Sequence, residues 1–145
     1  AGADMISVSA GGGLTNILGM SADGRSPEGW KVPLAEAVKK SGVKIPVMAT
    51  GSLRHPEYVE QVLAEGRCDM IGMGRGLLAE PEWVVKLEQG REREMHHCIS
   101  CMHCMNPVLP GVSGCTVNPL ALRELEDIVL KEDGKERKVA IAGRA

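Results

Sequence analysis

The chain predicts an α/β fold with parallel strands, and three observations carry that prediction. Short β-rich runs alternate with helical stretches at regular intervals. Two successive strands end in glycine turns. A proline stands near the start of each helical stretch. Strand–helix repeats of this spacing make parallel strands joined by crossover helices. Met5–Ser9 is the first strand and ends at Gly11–Gly13; a polar, glycine-containing loop follows to about Gly29. Pro33 suits a first helical turn, with Leu34, Ala37 and Val38 along one face, and Gly42 ends that helix. Ile45–Thr50 is the second strand and closes on Gly51 and Ser52. Pro56 opens a helix whose inner positions are Val59, Val62 and Leu63, and Gly66 stops it. Asp69–Met73 is the third strand, closing on Gly74, Arg75 and Gly76. Pro81 opens a third helix with Val84, Val85 and Leu87 as its apolar positions. A cysteine segment runs from about Met95 to Pro119; a helical stretch, Leu120–Leu130, leads to the charged, hairpin-like Lys131–Lys135. Val139–Gly143 reads as a strand entering a glycine turn.

Three β/α units cannot bury both faces of a sheet alone, so either an open doubly wound sheet or the last part of an eight-stranded barrel would complete them. Glycine turns after consecutive strands suit strands seven and eight of a TIM barrel, where backbone amides bind phosphate. Arg75 adds a forked cation suited to phosphate. Two ordinary tight turns would also explain the glycines.

Cys98, Cys101 and Cys104 stand at two-residue intervals, and Cys115 follows after ten more residues. A thiolate tetrad so spaced can turn inward onto one compact cubane cluster. Thiolates select zinc, copper(I) or iron–sulfur centres. Zinc ribbons present two separate Cys-x-x-Cys knuckles, which this run does not resemble. Pro107, Pro110, Gly111 and Gly114 keep the span to Cys115 irregular. A structural zinc site and free thiols are the rival readings; a disulfide framework does not suit a chain with no other mark of a secreted mini-protein.

Composition narrows the function classes. The 145 residues are 43% hydrophobic, enough for a core, and the formal charge of −2 gives nucleic acid no purchase. Aromatics make up 2%, so single-strand stacking platforms are lacking. No run is apolar for long enough to cross a bilayer. Both ends read as falling inside structural units, the expectation for a fragment of a longer polypeptide.

Ile45–Arg54, Leu63–Trp83 and the cysteine segment together resemble the old yellow enzyme family. The closer resemblance is to its iron–sulfur branch of 2,4-dienoyl-CoA reductase, trimethylamine dehydrogenase and related NADH:flavin oxidoreductases. The resemblance implies that residues 1–94 are the last three β/α units of an FMN-binding TIM barrel. Residues 95–138 would be the iron–sulfur segment and linker, and 139–145 the first strand of a Rossmann-like dinucleotide domain. Gly51 and Ser52 match the first FMN-phosphate turn, Gly74 and Arg75 the second. Cys98, Cys101, Cys104 and Cys115 match the ligands of a four-iron, four-sulfur cluster. FAD and NAD(P)H would bind elsewhere in the intact protein, and Ala145 departs from the second glycine of the dinucleotide fingerprint.

What the resemblance implies is a flavin-dependent oxidoreductase, reducing an activated carbon–carbon double bond of an enoyl-CoA or unsaturated carbonyl, or oxidising an amine. Electrons would pass one at a time between dinucleotide, cluster and FMN. Its substrate is a small molecule, not nucleic acid or membrane. A reducing cytoplasm suits an oxygen-sensitive cluster. The catalytic residues belong to earlier barrel strands, so this stretch alone should show no turnover. The alternatives are a zinc-stapled non-catalytic module and a phosphate-binding barrel enzyme without flavin. Among single residues, Cys68 and Trp83 read as core, and Arg67 as a residue of the stability face. His96, His97 and His103 read as solvated or supporting groups, Arg54 and His55 as helix-start or cofactor-facing. Glu92 and Glu94 need no catalytic role.

Overall fold

The computed structural model describes residues 2–10, 26–105 and 114–123, with positions 125, 134, 136, 138 and 140. The alternation of strand and helix folds as the pattern predicts. Strands β1 (Ile6–Val8), β2 (Val47–Thr50) and β3 (Met70–Gly72) form a parallel sheet in the order β1-β2-β3. Ile6 pairs with Val47 and Val8 with Ala49; Met48 pairs with Met70 and Thr50 with Gly72. In-register parallel pairing brings all three carboxyl ends to one side, where ligand sites of parallel α/β folds lie.

Helices α1 (Val32–Lys40) and α2 (Pro56–Ala64) follow the first two strands, with Pro33 and Pro56 in their first turns. A proline is tolerated there because its missing N–H would have no partner in the helix. β2 alternates buried and half-buried residues, sending Val47 and Ala49 into the core. Val32 and Ala35 of α1, Val59 and Val62 of α2, Cys68 and Trp83 close around them. Each fully buried valine stabilises the fold by roughly 1.5–3 kcal/mol.

Several details differ from the sequence reading. The inner face of α1 is Val32 and Ala35, with Val38 packed at its edge, while Leu34 and Ala37 are exposed. The run 32–38 carries two apolar stripes two residues out of phase, and rotation of the helix by about half a turn decides between them. A short helix α3 (Arg75–Ala79) intervenes directly after the second glycine turn. Pro81 lies in a turn, and the next helix, α4, spans Trp83–Glu88. Val84 and Val85 face outward and Lys86 is buried, because Lys86 has a carboxylate to pair with inside. β3 is an edge strand with Met70 exposed. Arg67 pairs with Glu36 (3.0 Å) and Lys39 with Asp69 (2.6 Å), away from the strand carboxyl ends.

Residues 92–94 and 103–105 form single 3-10 turns. No helix begins at Leu120: residues 119–122 are a turn, with Leu122 at φ +65°. The rest of that expected helix, most of the 131–135 hairpin and most of the 139–145 strand lie outside the described residues. Among the described residues, no helix is long and apolar enough to cross a membrane.

Candidate functional site

A cleft of about 320 Å³ opens at the strand carboxyl ends, lined by residues 50–54 after β2 and 72–76 after β3. Ser9, Lys31, Cys98 and Ser100 complete its wall. The first turn takes a shape that side chains resist: Gly51 has φ +105° and Ser52 φ +53°. A Cβ on residue 51 would stand 2.7 Å from Cδ of Lys31, so only glycine fits beneath that side chain. Thr50 Oγ1 donates to the Val8 carbonyl (2.8 Å) and ties the strand ends together. Arg75 begins α3, immediately after Gly74, and its Nη2 reaches Ser52 Oγ at 3.5 Å, spanning the two turns. Gly51, Ser52, Gly74 and Arg75 therefore share one wall, as the pattern expects.

Lys31 is the residue of this cleft that sequence reasoning missed, since a lone lysine before a helix carries no signal. It is buried, its Nζ donates to the Ala10 carbonyl (2.8 Å), and burial followed by the nearby Arg75 charge lowers its pKa. Lys31, Arg54 and Arg75 line the cleft, and among the described residues lining it there is no Asp or Glu. The chemistry of such a wall is anion binding.

On the far side of Arg75, Cys98, Cys101, Cys104 and Cys115 line a second, smaller cavity with Thr116 and Met102. The tetrad is brought to one cavity of only about 10 Å³. Among the described residues, no three His, Cys, Asp or Glu side chains draw close enough to hold one ion. None of the five cysteines is in a disulfide, and Cys68 is a buried core residue that does not line this cavity. A hydrogen bond with the Thr116 hydroxyl (3.1 Å), the backbone and then Arg75 lower the Cys101 pKa. Burial, then the neighbouring Cys98, pushes the Cys104 thiol up. The Ser100 amide donates to Cys98 Sγ at 3.4 Å.

The sequence gives no hint of the struts that hold this segment. Glu80 is buried with Lys86 (2.7 Å) and also accepts from the amides of His96 (3.1 Å) and Glu82 (3.3 Å). Burial would raise the Glu80 pKa, but the Lys86 ammonium and these amides outweigh it and hold the carboxyl below its ordinary value. Lys86 Nζ donates onward to the Glu94 carbonyl (3.1 Å). Glu28 plays a similar part at the first turn, accepting from the amides of Arg54 (2.5 Å) and His55 (2.8 Å). Trp83 is core, as expected, with its indole donating to the Arg54 carbonyl (3.0 Å). His96 is exposed, His97 donates from Nδ1 to Arg54 O (3.2 Å), and Glu94 pairs with Arg91 at the surface.

Comparison with known proteins follows the same outline. Residues 24–94 match the NADH:flavin oxidoreductase / NADH oxidase family. An NADH oxidase of Thermoanaerobacter brockii is 43% identical over 122 residues, covering 82% of this chain and 19% of that protein. A cinnamate reductase of Clostridium sporogenes is 33% identical over 118 residues, covering 80% of this chain and 17% of that protein. In three dimensions, the chain is similar to a 2-naphthoyl-CoA reductase, with a TM-score of 0.76 and 28% identity over 85% of this chain and 19% of that one. The chain thus spans about a fifth of the length of these relatives.

Proposed function

This chain belongs to the NADH:flavin oxidoreductase, or old yellow enzyme, family, and from that premise we propose that it holds an FMN phosphate and a four-iron, four-sulfur cluster within a flavin-dependent oxidoreductase. In this reading, residues 1–94 are the last three β/α units of a TIM barrel, 95–138 the cluster segment and linker, and 139–145 the start of a dinucleotide domain. The observation that carries it is a shared wall: the anion cleft and the cysteine cavity both include Arg75 and Cys98. A cofactor phosphate in one and a cluster in the other would lie side by side.

The residues fit both groups. Gly51 and Ser52 offer a left-handed turn with close backbone approach, Gly74 opens the second turn, and Arg75 supplies the guanidinium. Burial lowers the Lys31 pKa, so an anion in the cleft would favour its charged form. Cys98, Cys101, Cys104 and Cys115 line one cavity of about 10 Å³, so the soft thiolate donors suit an iron–sulfur core and would have to spread apart to seat it. The Thr116 hydroxyl and the Ser100 amide would stabilise thiolate sulfur. When bound, flavin supplies hydride chemistry and the cluster one-electron transfer. The part of these residues is to bind and orient, with Arg75 setting positive charge between the two. The relatives' names, a cinnamate reductase and an N,N-dimethylglycine/sarcosine dehydrogenase of Chromohalobacter salexigens among them, support two substrate classes: an activated double bond, or an amine. FAD and NAD(P)H would serve other parts of the polypeptide.

The test is anaerobic reconstitution with iron, sulfide and FMN, beside a Cys101→Ser variant. About four irons and four sulfides per chain, lost in the variant, with FMN retained in both, is the expected result. One zinc and no sulfide would sink the cluster, and failure to retain FMN would sink the phosphate cleft.

A further inference from the structure

Two left-handed residues flank Cys101: Ser100, just before it, has φ +55°, and Met102, just after it, has φ +62°. Left-handed backbone is unfavourable for a residue with a side chain, so contacts from outside the loop must hold it. Each of the two is gripped by an arginine from a different glycine turn. Arg54 donates from Nη1 to Ser100 Oγ at 2.8 Å, and Arg75 from Nη1 to Met102 Sδ at 2.9 Å. Ser100 is 4% exposed, so the Arg54 contact is sheltered from water.

Arg54 is also fixed at its main chain. Its amide donates to Glu28, and its carbonyl accepts from Trp83 and from His97, the neighbour of Cys98. The residue therefore meets the turn after β2, the helix α4 and the cysteine segment at once. Nothing in its position along the sequence separates it from an ordinary helix-start residue.

We propose that Arg54 is a positioning residue that couples occupation of the anion cleft to the shape of the cysteine loop. This rests on the reading of that cleft as the FMN-phosphate site. An anion on the turn of Gly51 and Ser52 holds two left-handed residues in place, three and two positions before Arg54. The guanidinium is then held against Ser100, and Ser100 stays in the conformation that lets Cys98 and Cys101 face one cavity. By linkage, an ordered cysteine loop strengthens anion binding by the same factor.

The experiment uses the intact polypeptide stripped of metal and flavin. Thiols are alkylated with iodoacetamide, with or without FMN, and each cysteine is counted by peptide mass spectrometry. Cys101 is the reporter, because it lines the cysteine cavity and not the anion cleft. The buried Cys68 reports on folding. FMN is expected to slow alkylation of Cys101 by about fivefold or more, the low end of ordinary coupling between sites, while riboflavin, which lacks the phosphate, does not. Because Arg54 and Ser100 also line the cleft, each variant is compared at an FMN concentration that saturates it by fluorescence quenching. There Arg54→Met abolishes the protection and Arg54→Lys restores part of it, since an ammonium still reaches a hydroxyl without the fork. Ser100→Ala gives the same loss without altering the turn, and decides the matter if Arg54→Met exposes Cys68. If FMN fails to quench on binding to the unaltered protein, the cofactor reading falls and the coupling with it. If FMN binds but protection of Cys101 is absent, or is equal in the unaltered, Arg54→Met and Ser100→Ala proteins, the coupling alone is overturned.

Discussion

Replacing Lys86 with Met strands the Glu80 carboxylate in the interior. The side chains of Lys86 and Glu80 are 10% and 4% exposed, and their 2.7 Å contact is the only charge partner of Glu80 inside that distance among the described residues. Removing one member of a buried pair costs about 3–5 kcal/mol, because the other charge stays desolvated. The amides of His96 and Glu82 still reach Glu80 in the variant and offset part of this, which places the expected loss near the low end, about 3 kcal/mol. For a urea slope of about 2 kcal/mol per molar, the unfolding midpoint falls by about 1.5 M. Urea titration followed by tryptophan fluorescence reads this, since Trp83 lies in the core. Adding Glu80→Gln to Lys86→Met removes both charges and keeps an acceptor for one of the two amides, which reach different oxygens, so it recovers part of the loss. A midpoint shift under about 0.3 M for Lys86→Met, or a double variant no better than the single one, would refute the reasoning.

Other consequences are open to direct measurement. Gly51→Ala places a Cβ 2.7 Å from the Lys31 side chain on a backbone at φ +105°, so flavin content of the purified protein should collapse while the fold loses about 1–3 kcal/mol. Arg75→Met removes a guanidinium from the cleft and should weaken FMN roughly tenfold to a hundredfold, leaving riboflavin unchanged in a fluorescence-quenching titration. The Glu80 carboxyl is held below its ordinary 4.5 in the folded state, so its stabilisation is present above about pH 4.5 and is lost as pH falls through the folded value. Glu80→Gln should therefore flatten the acid limb of the stability curve, and an unchanged limb would show that the pair carries no such linkage.

The order of strands and helices was legible because its signals are local. Within a helix Pro33 and Pro56 are tolerated only in the first turn, and glycines after β2 and β3 mark turns wherever the tertiary structure sends them. The cysteine spacing is local in the same sense, and the four thiols do come to one cavity. The inner faces of α1 and α4 were not legible. Leu34 and Ala37 compete with Val32 and Ala35 on equal hydrophobic terms, and Lys86 reads as a surface charge until Glu80 is brought against it.

By itself, then, the chain determined an alternating parallel α/β unit, two glycine turns and a tetrad of thiols, since each is written in residues a few positions apart. Only the tertiary structure decided that the turns and the thiols share a wall at Arg75 and Cys98, that Lys31 lies over Gly51, and that Arg54 reaches Ser100, 46 positions away. Such contacts depend on strand register and on which helix face turns inward. Those are settled by the summed burial of the whole core, and no short stretch of sequence carries that sum.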